Sequence, residues 1–248
     1  MPVSFFDWIV LYINEYGKLF LNGAGVTLLL ALIGTSAGFL IGLLVAVVRT
    51  IPVRKKDNLI KKVLLRIFQG LLAVYIEVFR ATPMMVQAML LYYGSSFIGI
   101  NILAMTAGFL VISINTGAYI AEIVRGGITS VDIGQTEGAQ SIGMTHWQTM
   151  SSVVLPQAIR NILPAIGNEF IINIKDGAVL STIGVTELFF QTKSASGTYL
   201  QYFPAFAITC VIYLVMTLTI TRILLLLEKK MDGPASYVVK EALEKRGI

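Results

Sequence analysis

The chain is almost devoid of the side chains from which most metal and catalytic centres are built. Its 248 residues include one cysteine, Cys210, and one histidine, His146. A single cysteine inside an apolar run excludes a disulfide framework and a cysteine-ligated metal, and a lone histidine argues against imidazole metal chemistry. Charge is scarce as well. Only 13% of residues are Asp, Glu, Lys or Arg while 56% are hydrophobic, and mean hydropathy is +0.78; an ordinary soluble domain carries roughly twice that share of charge. No Gly-x-x-x-x-Gly-Lys-Ser/Thr phosphate loop occurs, so the chain has no nucleotide-hydrolysing motif of that kind. The opening MPVSFFDWIVLYINEYGK lacks a basic start and a small-residue cleavage pattern, and does not read as a removed secretion signal. In a chain this apolar, the net charge of +5 reads as membrane topology, not nucleic-acid binding.

What the chain does have is long apolar runs. Hydropathy predicts an all-α membrane protein with about five spans, over residues 25–48, 71–94, 102–124, 161–184 and 204–227. Residues 1–24 are expected as an extracytoplasmic N-terminal segment, 25–228 as the membrane domain and 229–248 as a cytoplasmic tail. In the first span Gly34, Gly38 and Gly42 recur every fourth residue, the spacing that lets helices pack closely in lipid. Lys175 and Asp176 interrupt the fourth.

Basic residues set the expected orientation. The 49–66 loop carries Arg49, Arg54, Lys55, Lys56, Lys61, Lys62 and Arg66 against Asp57. Arg125, Arg160 and the basic C-terminal tail fall on the same side, whereas Lys18 and Lys193 fall on the other. Positive residues favour the cytoplasm, so the N-terminus is expected outside and the C-terminus inside. The basic loop is expected near anionic membrane lipid headgroups.

Residues 135–157, QTEGAQSIGMTHWQTMSSVVLPQ, are too polar to span and lie on the side expected to be cytoplasmic. Asp132 and Gln135 resemble an N-cap with its reciprocal partner, Gly143 suits a left-handed helix end, and Thr145 with Gln148 forms a second capping box. The spacing predicts two short helices joined at Gly143, the second stopping before Pro156. Between residues 126 and 159 there is no lysine or arginine, unlike a helix that lies on lipid. Docking to another protein is the expectation.

Charges inside spans mark function or pairing, because each is costly in lipid. They are Glu77, Arg80, Glu122, Glu169, Lys175 and Asp176. Glu77 and Arg80 could pair at i,i+3. Thr82 and Pro83 resemble an N-cap and first helical residue, predicting a helix broken at membrane depth whose start suits a substrate carboxylate, with Gln87 one turn on. Asn115, Tyr119 and Glu122 share one face at i, i+4 and i+7, and Glu169, Asn173 and Asp176 repeat the offsets. Each stripe fits either a polar passage or interhelical hydrogen bonding, and Glu122 beside Arg125 fits a gate or an ion pair.

Glu137-Gly138-Ala139, then Gly143, then Val153-Val154-Leu155-Pro156 resembles the EAA motif of ABC importer permeases, with Gly138 for the first alanine and Val153 for isoleucine. Glu77 to Gln87 (EVFRATPMMVQ), Asn168-Glu169-Phe170 and Gly184-Val185-Thr186-Glu187-Leu188 are similar to the polar amino acid permeases of the histidine/glutamine/arginine/cystine type. The resemblance covers roughly residues 20–230 and implies a type I ABC importer transmembrane domain in a prokaryotic plasma membrane. It implies that the segment at 132–156 is the coupling helix, with Glu137 facing a separate ATPase dimer that binds ATP and Mg, and Gly143 setting the turn. It further implies a second permease subunit, identical or related, an extracytoplasmic solute-binding protein and an amino acid substrate. The chain itself would then bind no cofactor and catalyse nothing. A permease of the same class for another small solute is the alternative, and a secondary transporter a more distant one, since five spans do not divide into inverted halves.

Overall fold

Apolar runs and capping residues produce a chain that is helical throughout, with no strand among the described residues. The computed structural model describes residues 4–52 and 58–244, with side chains through residue 230. The principal helices are α1 (Phe5–Arg49), α2 (Leu59–Ala81), α3 (Met84–Phe97), α4 (Ala104–Ser130), α5 (Ile133–Ser141), α6 (His146–Thr149), α7 (Leu155–Asp176), α8 (Leu188–Tyr199) and α9 (Tyr202–Glu244). The basic residues 54–56 of the first loop lie outside the described residues.

Three of these helices are long and apolar enough to cross a membrane: α1, α4 and the Tyr202–Lys230 part of α9. The second and fourth predicted spans take other forms. Residues 71–94 are shared between α2 and α3, which are separated by an extended Thr82 and Pro83. The fourth remains α-helical only to Asp176 and then tightens into a 3₁₀ stretch, Gly177–Ile183, ended by a left-handed Gly184. The expected boundary at residue 24 is not a helix boundary. A capping box between Ser4 and Asp7 starts α1 early, and its 45 residues extend about 67 Å, more than twice the ~30 Å of a bilayer core. Likewise α9 continues through residue 228 without a break.

The centre of the bundle is the α1–α4 seam. Two-thirds of the most apolar window of α4 is buried, against 6% for α9, so α4 is the core and α9 an outer helix. Gly34, Gly38 and Gly42 present backbone to Ile112, Thr116 and Ile120; a Cβ at Gly38 would lie 2.8 Å from that of Thr116, and one at Gly42 would lie 2.8 Å from the Ala121 amide nitrogen. Lipid gives apolar side chains little reason to leave it, so close van der Waals contact between small residues is what holds the seam. Leu29, Leu32, Leu40 and Leu44 of α1 remain exposed on the outer side.

The two ends of the bundle differ. At one, Arg49 closes α1, and the Gln69 amide donates to the carbonyls of Val48 (3.1 Å) and Ile51 (3.0 Å), fastening α2 to it. At the other, Tyr12 donates to the Gln201 carbonyl at 3.0 Å, Tyr199 donates to Glu15 at 2.7 Å, and Trp8 and Tyr16 pack against the Tyr199 ring. Near that end Glu187 is fully buried; it caps α8 by accepting from the Phe189 and Phe190 amides at 2.8 and 2.7 Å, and accepts from Tyr213 of α9 at 3.1 Å.

If the seam holds the bundle, Gly38→Leu overpacks it and lowers stability by about 1–3 kcal/mol. Gly126→Ala, where an added Cβ meets nothing within 4 Å, serves as control. Thermal unfolding in detergent checks this: the expected result is a lowered Tm for the first and an unchanged Tm for the second, and equal Tm values would refute the seam.

Candidate translocation site and coupling segment

Proline 83 has no amide hydrogen to give and forces its predecessor into extended backbone, and Thr82 accordingly takes φ −117°, ψ 144°. The last carbonyls of α2 are thereby stranded at the break, and polar side chains collect there to satisfy them. Thr82 Oγ1 donates back to the Val78 carbonyl at 2.8 Å. The Gln87 amide donates to the Phe79 and Thr82 carbonyls at 3.0 and 2.9 Å. Asn115 of α4 donates to the Phe79 carbonyl at 3.2 Å and to Gln87 Oε1 at 2.9 Å. The expectation that Thr82 caps α3 is therefore wrong in detail. Its hydroxyl closes α2, and α3 begins at Met84 with Pro83 in the N-cap position and no side-chain cap.

The break opens on a cavity of about 290 Å³ lined by Thr82, Pro83, Met84, Asn115, Tyr119, Glu169, Ile172, Asn173 and Asp176. Both polar stripes read from the sequence reach it. The α4 stripe contributes Asn115 and Tyr119, and the α7 stripe contributes Glu169, Asn173 and Asp176. Arg80 stands over the Tyr119 ring, 5.5 Å from its centre, a cation–π arrangement; among the described residues no ion pair joins it to Glu77. Glu169 lies within electrostatic reach of both Asp176 and Arg80. The wall thus carries two carboxylates and the start of a helix, with the Arg80 guanidinium over the ring of the lining Tyr119. Pro83, Met84 and Ile172 were not among the candidates; Ile172 falls on the α7 stripe, three residues after Glu169, but its apolar side chain gave no signal.

Four candidates stand apart from free cavity wall. Arg80 meets the cavity only through the Tyr119 ring. Gln87 is committed to bracing the break and does not line the cavity. Glu122 is also outside it, held by Arg49 at 2.6 Å and by Arg125 at 2.8 Å, an ion-paired knot joining α1 and α4. Asn173 does line the cavity but is 4% exposed, donating to Thr35 Oγ1 at 2.9 Å and accepting from Thr116 at 3.1 Å. It joins α7 to the α1–α4 seam beside Gly34 and Gly38.

The expected coupling segment, residues 132–156, follows α4 at the end that carries Arg49. Asp132 caps α5 through the Gly134 amide at 2.7 Å, rather than in a reciprocal pair with Gln135. The helix ends in a Schellman turn: Gly143 at φ +86° donates to the Gln140 carbonyl and Met144 to the Ala139 carbonyl. Thr145 and Gln148 make the expected capping box and start α6. That helix does not stop before Pro156. A π-helical stretch, Met150–Val154, carries it into α7, where Pro156 occupies the first turn. The wider turn alters the carbonyl register ahead of the proline ring, which a regular α-helix would bring into a clash. The second short helix is thus continuous with α7, the helix that lines the cavity. Glu137, Gly138, Gly143 and Pro156 are exposed, Leu155 is half-buried, and Ala139 is buried. The outward face also holds Ile133 and Ile142, 73% and 79% exposed.

A polar cavity at a broken membrane helix, joined through one helix to an exposed polar hairpin, defines a polytopic membrane component of a transport system. The chain belongs to the family of binding-protein-dependent transport system inner membrane components, whose family model matches residues 38–233; it is an inner-membrane protein. It is 35% identical over 233 residues to the glutamine transport system permease protein GlnP of Escherichia coli (strain K12), an alignment covering 91% of this chain and 98% of that protein. It is 37% identical over 193 residues to the probable amino-acid ABC transporter permease protein YckA of Bacillus subtilis (strain 168), covering 78% and 80%. Among solved structures, the crystal structure of an amino acid ABC transporter with histidines superposes with a TM-score of 0.80 at 40% identity, covering 93% of this chain and all of that one. The inward-facing MetNI methionine ABC transporter, at 18% identity and a TM-score of 0.64 over 84% of this chain and 95% of that one, shares the fold. The fold is that of a type I ABC importer transmembrane domain.

Removing the Asn173 amide leaves the Thr35 and Thr116 hydroxyls without their shared partner. Asn173→Ala is expected to cost about 1–2 kcal/mol, read as a lowered Tm of the detergent-solubilised transporter, while Asn168→Ala on the exposed face of α7 leaves Tm in place. Equal unfolding temperatures would remove Asn173 from its clamping role.

Proposed function

We propose that this chain forms half of a passage for polar amino acids, driven by ATP hydrolysis on a separate subunit pair. The observation that carries the reading is the cavity at the α2–α3 break, where Glu169 and Asp176 line the wall and Arg80 stands over the ring of Tyr119, which lines it too. An amino acid carries an ammonium and a carboxylate a few bonds apart, and a site offering carboxylates together with helix-start amides and a nearby guanidinium complements both. The named relatives support the same class: one is a glutamine permease, another an amino-acid permease, and the superposed structure an amino acid transporter with histidines. A second permease subunit completes the passage, and a solute-binding protein delivers the cargo.

The energy enters through residues 132–156. Exposed Glu137 and Gly138, the bare Gly143 turn and the protruding Ile133 and Ile142 suit a groove on another protein better than a lipid surface, because the stretch has no lysine or arginine. The ATPase dimer, with its ATP and Mg, docks there. Continuity of α6 with α7 through the π-helical stretch then carries its motion to the cavity wall. Positive-inside asymmetry puts this end in the cytoplasm.

Two measurements test the reading in liposomes holding the assembled transporter and its binding protein. Across a panel of amino acids, at least one polar amino acid stimulates ATP hydrolysis, and Glu169→Gln lowers its uptake about 10- to 100-fold, the loss of one charge-assisted contact, while unstimulated hydrolysis persists. Hydrolysis indifferent to every amino acid would sink the cargo assignment. Gly143→Val strains a left-handed position by about 1–2 kcal/mol; uptake is expected to fall while hydrolysis and membrane insertion continue, and normal uptake would contradict the role of the turn.

A further inference from the structure

A second, larger cavity of about 650 Å³ lies away from the passage, between the first turns of α2, the end of α1 and the coupling segment. Its long wall is the stripe Lys61, Leu64, Leu65 and Phe68, at i, i+3, i+4 and i+7 on α2, with Ile51 and Trp147 closing the other sides. Lys61, at one end of the stripe, is its cation. Lys62 and Arg66 stand on the adjacent face, and from Ile67 to Phe79 the helix has no further basic residue. Beyond the groove the apolar surface continues in exposed Leu71 and Val74.

We propose that this groove is a specific site for one anionic phospholipid, its acyl chain along Leu64, Leu65 and Phe68 and its headgroup phosphate at Lys61. Charge complementarity selects that occupant: three cations at the start of α2, Lys61, Lys62 and Arg66, followed by an apolar outward stripe with no further cation until Arg80, match a molecule negative at one end and hydrocarbon at the other. Trp147, 57% exposed, lines the groove with the kind of amphipathic ring that favours a headgroup region. Its volume falls within the usual range for small-molecule pockets. Trp147 follows the Thr145 cap of α6, so a lipid in the groove touches the coupling segment itself. The lipid thereby fills the space between α2 and the hairpin.

The test uses the two tryptophans unequally. The assembled transporter is reconstituted in phosphatidylcholine vesicles containing a fixed fraction of phosphatidylglycerol, with either the one or the other lipid brominated. The Trp147 signal is the difference between the native protein and Trp147→Phe. Brominated phosphatidylglycerol is expected to quench it with about fivefold preference over brominated phosphatidylcholine, one basic contact's worth. Lys61→Gln removes that preference, and Lys229→Gln, a cation on α9 outside the groove, keeps it. Equal quenching by the two lipids, or no quenching by either, as a protein occupant would give, overturns the proposal. So does an equal loss in Lys229→Gln, which would assign the preference to general surface charge.

Discussion

The close approach of α1 and α4 is the constraint on which the rest of this molecule depends. Inside a bilayer apolar side chains do not drive helices together, and contact has to come from backbones that approach unimpeded and from hydrogen bonds that lipid cannot offer. Gly34, Gly38 and Gly42 supply the approach, meeting Ile112, Thr116 and Ile120. Thr35 and Thr116 supply the hydrogen bonds, converging on Asn173 of α7. With Asn173 held, the adjacent turns of α7 have one orientation left, and Glu169 and Asp176 come to the cavity wall. The seam is thus what aims the chemistry.

A second theme is that polar residues at membrane depth serve the backbone before they serve a ligand. The α2–α3 break is useful because it opens a helix start beside a cavity, and it survives because Thr82, Gln87 and Asn115 satisfy the carbonyls it exposes. Glu122 is similarly occupied by two arginines. Glu187, buried and bonded to two amides and a tyrosine, joins α8 to α9. The groups left without such employment in the cavity are Glu169 and Asp176, neither of which enters a hydrogen bond or ion pair among the described residues. They are the ones a transported ammonium group would meet.

Much of this could be read from the residues. The glycine spacing, the break before Pro83, the shared face of Glu169, Asn173 and Asp176, and the Gly143 turn each rest on local geometry that one strand of sequence contains. What escaped was decided by partners distant in the chain. Whether Asn115 faces cargo or the Phe79 carbonyl depends on α2 lying beside α4. Whether Glu122 is a gate or a knot depends on Arg49, 73 residues away. The π-helical stretch before Pro156 was invisible because proline normally ends a helix, and here a wider turn ahead of the proline lets α6 run on into α7. Where the residues left two readings open, passage or tie, the bundle uses Asn115, Glu122 and Asn173 as ties.

The central claim is that cargo passes between the carboxylates of α7 and the Arg80–Tyr119 side of the α2–α3 break. The most direct test is a structure of the assembled transporter held with its transported amino acid at saturation. The account predicts density in the cavity with the ammonium group within hydrogen-bond reach of Glu169 or Asp176. An amino acid bound elsewhere in the membrane domain, with this cavity empty, would contradict it.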